Sequence, residues 1–319
     1  MTTRAVIRGT GHYLPERIVE NSWFEDKVDT SDEWIRSRTG IERRHFAAEG
    51  ETTSQLAIRA AEAALSNAGM EASAIDAIVV ATSTPDLTFP SVATMVQAGL
   101  GMTRGFCFDV QAVCAGFVFA LANADGLIHS GQAERVLVIG AETFSRILDF
   151  DDRATCVLFG DGAGAVVLEA AAGERGILAT DLNSDGSYRD ILYVDGGVST
   201  TGHSGKLKMQ GNVLFRHAVE KLAQTAHSAI EKAGLTAEDV DWLVPHQANA
   251  RIIAATAQRM GLPMEKVVLT VADHGNTSAA SIPLALSVAN QSGKLKQGDV
   301  VVTEAIGGGL SWGSVVLRW

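Results

Sequence analysis

Three residues in this 319-residue chain carry side chains that could act together in covalent chemistry: Cys114 in FDVQAVCAGFVFALANADGLIHS, His246 in WLVPHQAN and Asn276 in HGNTSAAS. Cys114 stands just before a run of small and apolar residues that reads as a buried helix. A thiol there has two roles open to it. As a small hydrophobe it fills a core as readily as alanine. At a helix start, unpaired backbone amides and the dipole favour thiolate over thiol. Free cysteine is only about 3% thiolate at neutral pH. A favourable helix start is worth up to about 2 kcal/mol, so the position predicts a usable nucleophile, and a neighbouring His would add to it. His246 after an apolar strand and Asn276 at a helix start also have plain readings, a loop residue and an N-cap. Their joint placement is what points to chemistry.

That placement rests on an internal repeat. AEAALSNAGMEASAIDAIVV from Ala61 aligns without a gap against AHSAIEKAGLTAEDVDWLVP from Ala226. Each copy reads as an amphipathic helix closed by Gly, a polar turn, then an apolar strand. A second pair follows at nearly the same offset: CAGFVFALANADGLIHSG from Cys114 and NTSAASIPLALSVANQSG from Asn276. Both are small-residue helices ending in Ser-Gly, and each runs into a strand, VLVIGAE or VVVTEAIGGG. The expectation is two α/β halves, residues 1–171 and 172–319, related by a pseudo-twofold. Helices of Ala, Gly and Ser suit a layer between two sheets, which gives a five-layer α-β-α-β-α sandwich; a doubly wound single sheet is the alternative. Ligands in such folds sit at the carboxyl ends of strands. The repeat then pairs Cys114 with Asn276 and brings His246 to the same end.

Composition bounds the rest. A hydrophobic share of 46% means a folded globular protein. No apolar run reaches membrane-spanning length, and the N-terminus lacks a secretory pattern, so the expectation is a cytoplasmic protein. Cys107, Cys114 and Cys156 have neither the count nor the spacing of a disulfide framework or zinc site, so no metal is expected. The net charge of −11 argues against nucleic acid or an anionic membrane as main partner. Dinucleotide, phosphate-loop, GxSxG and HExxH patterns are missing. Gly307–Gly309 follow an apolar strand. They read as a flexible turn, or as backbone that must approach a ligand with an amide free to bind an oxyanion.

CAGF, VPHQAN, HGNTSAAS and GGGLSWGS, with DTSDEWIRSRTGI near the start, resemble the β-ketoacyl-[acyl-carrier-protein] synthase III family of the thiolase-like superfamily. The resemblance runs the whole chain and implies a duplicated five-layer sandwich, usually a homodimer. It implies that Cys114 accepts the acyl group of a short acyl-CoA, acetyl-CoA foremost. His246 and Asn276 then assist decarboxylation of malonyl-[acyl-carrier-protein], and Gly308 with the Cys114 amide binds the thioester oxygen. No permanently bound cofactor is implied; a coenzyme A thioester is the substrate. The adenine clamp falls on Trp34 and Arg153, with Arg38 near the phosphates. Gly211, Asn212, Phe215 and Asn249 fall on the pantetheine channel. Arg216, Arg251 and Arg259 are the carrier-protein contacts, although on sequence alone they are a solvated helix face. Phe89, which in the family reaches across the dimer, and Ile306 fall on the primer pocket. QAVC and Ile306 depart from the more frequent AAC and Phe, and a smaller Ile306 enlarges that pocket. The rival readings are an acyltransferase that moves the acyl group to a secondary-metabolite acceptor, a non-catalytic CoA-binding scaffold, and a cysteine hydrolase.

Overall fold

The computed structural model describes residues 3–319. In chain order the elements of the first half are β1 (Thr3–Tyr13), β2 (Arg17–Glu20), α1 (Asp32–Thr39), β3 (Arg43–Phe46), α2 (Thr53–Ala68), β4 (Ala77–Ala81), α3 (Val92–Gly99), β5 (Phe106–Val110), α4 (Gly116–His129), β6 (Arg135–Thr143), α5 (Arg153–Cys156) and β7 (Asp161–Ala172). The remainder are β8 (Gly176–Ser184), β9 (Leu192–Val194), β10 (Leu207–Met209), α6 (Gly211–Lys232), β11 (Trp242–Pro245), α7 (Ala250–Arg259), α8 (Val271–His274), α9 (Ser281–Gln291), β12 (Val300–Gly307) and β13 (Ser311–Arg318).

One sheet runs β1-β7-β6-β4-β5 and the other β8-β13-β12-β11. In both, the strand that follows the central helix pairs in parallel with a strand that precedes it, β6 with β4 and β12 with β11. The next strand returns antiparallel. Between the sheets lie α4 and α9, whose Ala120, Leu121, Ala124, Ala285 and Ala289 are all buried in one apolar cluster. The outer face of the first sheet is covered by α2 and α3, and that of the second by α6 and α7. This is the five-layer sandwich.

The small residues of the middle layer have a geometric reason. A Cβ on Gly140 of β6 would stand 2.2 Å from the Ala279 carbonyl oxygen, and one on Gly164 of β7 2.5 Å from the Leu284 amide. Backbone therefore meets backbone where the second-half helix crosses the first sheet, and any side chain there would force the layers apart.

The twofold pairing differs in detail from the sequence alignment. Ala77 and Trp242, Gly116 and Ser281, and Arg135 and Val300 open matching elements 165 positions apart. At that spacing Val113 matches Ser278, and these are the two non-glycine residues with positive φ among the described residues, 51° and 50°. Cys114 therefore matches Ala279 and not Asn276. The alignment slipped because α4 has 14 residues and α9 has 11. Matching their Ser-Gly ends displaces their starts by almost one turn.

An excursion near the N-terminus also matters for the site. Val19, Phe24, Ile35 and Phe46, from the segment spanning β2 to β3, pack into the cluster on the outer face of the second sheet. Arg44 anchors this segment. It is fully buried, and its guanidinium donates to the carbonyls of Val19 and Val157 and to Asn21 Oδ1. Residues from both ends of the chain thereby reach one cavity.

Candidate active site

A cavity of about 360 Å³ opens where the two sheets end, and Cys114, His246 and Asn276 all line it. Each is almost fully buried, at 4%, 5% and 5% exposure. Cys114 sits in the short 3-10 turn Val113–Ala115 that leads into α4, His246 follows β11, and Asn276 lies in the loop between α8 and α9. The three side chains come from separate elements, and the crossing of the layers brings them together.

The electrostatics correct one expectation. The thiol of Cys114 is pushed up to about 12, because burial outweighs the Ser278 hydroxyl and the residue's own amide, which favour the thiolate. The negative charge of Glu142 pushes it in the same direction as burial. A helix start offers only partial charges, whereas removing a thiolate from water costs more. His246 is held neutral by burial, at about 3. It therefore cannot support the thiolate as an imidazolium and is placed to act as a neutral hydrogen-bonding group.

Hydrogen bonds orient both partners. His246 Nδ1 lies 2.6 Å from Ser281 Oγ, and the Gln247 amide donates to the same oxygen at 3.3 Å. With the Ser281 hydroxyl donating to Nδ1, the ring proton stands on Nε2. Asn276 Oδ1 accepts from the Ser278 amide at 2.9 Å, so its side-chain NH₂ is free to donate. Asn276 is not the N-cap of α9; that position belongs to Ala280. The walls include Leu158, Phe159 and Ile306. Glu304 also lines the cavity, and burial raises its carboxyl well above the usual carboxylate range.

Of the other expected residues, Trp34, Arg38, Gly211, Asn212, Phe215, Asn249, Arg251 and Ile306 line the same cavity. Arg153 stands outside the lining, but its guanidinium lies 4.9 Å from the Trp34 ring centroid and it donates to the Asp29 carbonyl at 2.6 Å. A planar group between the two would need about 3.5 Å on each face, more than this gap provides. Asn249 is committed as the N-cap of α7, accepting from the Arg251 amide and donating to the Arg38 carbonyl. Arg216, Arg251 and Arg259 are all exposed. Arg251 lies over the Phe215 ring, and Arg259 is at the far end of α7, about 12 Å away along the helix.

Gly308 is absent from the cavity lining and borders a second groove, of about 1000 Å³, together with Leu87 and Arg146. Gly307 is the glycine that bears on the nucleophile: a Cβ there would lie 2.8 Å from the Cys114 nitrogen and 2.5 Å from the Ala112 carbonyl. Phe89, at 80% exposure, lines neither space. Among the described residues no three His, Cys, Asp or Glu side chains gather as a metal site. Sequence reasoning passed over Glu142, Ser278, Ser281 and Glu304. The acids had a visible signal, a lone carboxylate near the end of an otherwise apolar strand. The serines had none, being ordinary members of small-residue segments.

Comparison with known proteins agrees along the chain. Residues 108–186 match the family described as 3-oxoacyl-[acyl-carrier-protein (ACP)] synthase III, and residues 230–319 its C-terminal part. The chain is 77% identical to the β-ketoacyl-[acyl-carrier-protein] synthase III of Paracoccus denitrificans, with 99% of both chains covered. It is likewise 77% identical to the protein of that name from Rhodobacter capsulatus, over the full length of both. The crystal structure of 3-oxoacyl-[acyl-carrier-protein] synthase III from Aquifex aeolicus superposes with a TM-score of 0.95 at 46% identity, covering 99% of this chain and all of that one.

Proposed function

The chain belongs to the 3-oxoacyl-[acyl-carrier-protein] synthase III family, and from that premise we propose how its own residues carry out the reaction. It is a condensing acyltransferase that initiates fatty acid synthesis. The proposed substrates are a short acyl-CoA and malonyl-[acyl-carrier-protein], and the products are 3-oxoacyl-[acyl-carrier-protein], CoA and carbon dioxide. The observation that carries the residue assignments is the convergence of Cys114, His246 and Asn276 on one largely apolar cavity.

In the first half-reaction the Cys114 sulfur attacks the thioester carbon, and the carbon–sulfur bond to CoA breaks. The amides of Cys114 and Gly308 are the proposed oxyanion donors. The close packing of Gly307 on the Cys114 nitrogen supports this by bringing the two backbone segments into contact. In the second half-reaction the malonyl thioester oxygen accepts hydrogen bonds from His246 Nε2 and the Asn276 amide. The carbon–carboxylate bond breaks, its electron pair forms the enolate, and that carbon attacks the acyl-Cys. Leu158 and Phe159 favour loss of a charged carboxylate as neutral carbon dioxide, since neither solvates the anion. Side chains and backbone amides carry every step, and CoA enters as a substrate.

Trp34 with Arg153 is the proposed adenine clamp, Arg38 a phosphate contact, and Gly211, Asn212 and Phe215 the channel wall. Trp34→Ala is expected to raise KM for acyl-CoA about 10-fold while leaving kcat within about two-fold, the loss of one stacking face. Steady-state kinetics with acetyl-CoA and with a pantetheine thioester lacking the nucleotide will check this, because only the former should respond.

We further propose the carrier protein as partner through Arg216, Arg251 and Arg259, and a homodimer that covers the exposed Leu87 and Phe89. Residues 1–171 and 172–319 are proposed as the two halves, supported by the change of sheet between β7 and β8. Among the described residues no helix is long and apolar enough to cross a membrane. The three cysteines are unpaired, in keeping with the proposed cytoplasmic location.

The deciding experiment is intact-protein mass spectrometry with acetyl-CoA and longer or branched acyl-CoAs, followed by a chase with malonyl carrier protein. An acyl adduct that the chase converts to ketoacyl carrier protein is expected. An adduct that malonyl carrier protein leaves untouched would overturn the condensing reading in favour of transfer to another acceptor.

A further inference from the structure

The mechanism above leaves one proton without a carrier. Acylation must remove the proton of a thiol that burial disfavours ionising, and His246 is committed to Ser281 on one side and to the malonyl step on the other. Behind the nucleophile lies a fully buried carboxylate, Glu142, the penultimate residue of strand β6 before the chain leaves the sheet. It is held by hydroxyl and amide donors from one neighbouring loop: Thr84 Oγ1 at 2.6 Å, the Ser83 amide at 3.1 and 3.2 Å, and Thr82 Oγ1 at 3.3 Å. On its remaining side it accepts from Ser278 Oγ at 3.2 Å.

Ser278 is the link. Its hydroxyl donates to Glu142, and the same side chain favours the thiolate of Cys114. The residue is held at φ 50° with its amide bonded to Asn276 Oδ1. A non-glycine residue held in that region needs surroundings that over-determine it, and such positions concentrate where geometry serves the chemistry. Cys114 is the titratable group facing Glu142 across Ser278. The other contacts of the carboxylate are the uncharged groups of Thr82, Ser83 and Thr84.

We propose that Glu142 is the proton store for Cys114, working through the Ser278 hydroxyl. The inference rests on Cys114 being the acyl acceptor. As the sulfur–carbon bond forms, the thiol proton passes to Ser278 Oγ and the Ser278 proton passes to Glu142. The CoA sulfur leaves with the bonding pair and takes its proton from water. When the enolate displaces Cys114 as thiolate, the stored proton returns by the same path. One proton is consumed per turnover, from water onto CoA, and the enzyme is restored. Burial raises the Glu142 carboxyl to about 7, so both of its states are accessible at working pH. Glu142 never touches substrate and is a positioning residue that acts through Ser278.

The test is rapid-quench acylation of Cys114 by acetyl-CoA, read by mass spectrometry between pH 5.5 and 9. Glu142 must be ionised to accept the proton, so the wild-type rate should rise through about pH 7 and then level. Glu142→Gln is expected to slow acylation about 100-fold and to abolish that rise. Glu142→Asp should restore part of both. Ser278→Ala should show the same loss, and the double variant should be no slower than either single one, as a serial relay requires. If E142Q does not fold, S278A carries the same measurement one link nearer the sulfur. The opposing result is specific: if Glu142 acts only through its charge, E142Q makes the thiol more acidic and acylation proceeds as fast or faster, which overturns the relay. Failure of wild type to form any adduct would instead strike the acyl-acceptor reading, so the two failures are distinguishable.

Discussion

Cys114→Ala is expected to give a folded protein that binds acyl-CoA and transfers nothing. The side chain is 4% exposed and lies in a 3-10 turn among Ala112, Ala115 and Gly116, so alanine occupies the space with little rearrangement. The backbone contact with Gly307 that shapes the proposed oxyanion site does not involve the thiol. What disappears is the atom that carries the acyl group between two substrates. With no covalent intermediate the two half-reactions cannot be joined, and turnover should fall by at least about 10⁴-fold. Intact mass after incubation with acetyl-CoA should show no adduct, while CoA binding by calorimetry is retained. His246 and Asn276 remain in place, so slow release of carbon dioxide from malonyl carrier protein should persist. A C114A protein that still forms the adduct would move the nucleophile elsewhere, and Cys107 and Cys156 would be the next residues to test.

His246→Ala and Asn276→Ala are expected to separate the two half-reactions. Each should reduce condensation about 10²- to 10³-fold, the usual cost of losing one donor to a developing oxyanion, and His246→Ala should leave the acyl adduct forming at close to the wild-type rate. Because His246 is held neutral, at about 3, condensation should show no inflection from its titration between pH 5 and 8. The two variants differ in their local consequences. Removing the imidazole leaves Ser281 Oγ still accepting from the Gln247 amide. Removing the Asn276 side chain takes away the acceptor that holds the Ser278 amide, so this variant should also slow acylation modestly if Ser278 serves the nucleophile. Adduct formation and carbon dioxide release, followed on the same samples, will check both. Equal loss in the two half-reactions for His246→Ala would remove it from the decarboxylation step.

The repeat made the architecture readable before any coordinates. AEAALSNAG and AHSAIEKAG share a helix period and a Gly stop, and such signals are local, so they survive into α2 and α6 with Gly69 and Gly234 at positive φ beyond the helix ends. The same local reasoning misplaced the second pair. Ser-Gly ends are conspicuous, whereas the three-residue difference between α4 and α9 leaves no mark in composition.

Site chemistry divides along a similar line. The chain itself determined which groups exist, namely a thiol at a helix start, a histidine after an apolar strand, an asparagine before Thr-Ser, and the glycines that let backbones meet. Tertiary structure alone decided their chemical state and their supporting partners. A helix start favours the thiolate locally, but burial under two sheets raises the Cys114 thiol to about 12. His246 loses its charge for the same reason. Glu142 and Ser278 come to the nucleophile from positions 28 and 164 residues away in the chain. Ser278 has no local signal, and the lone carboxylate of Glu142 gives no hint of its partner, because desolvation and through-space contact depend on everything that surrounds a group once the chain has packed.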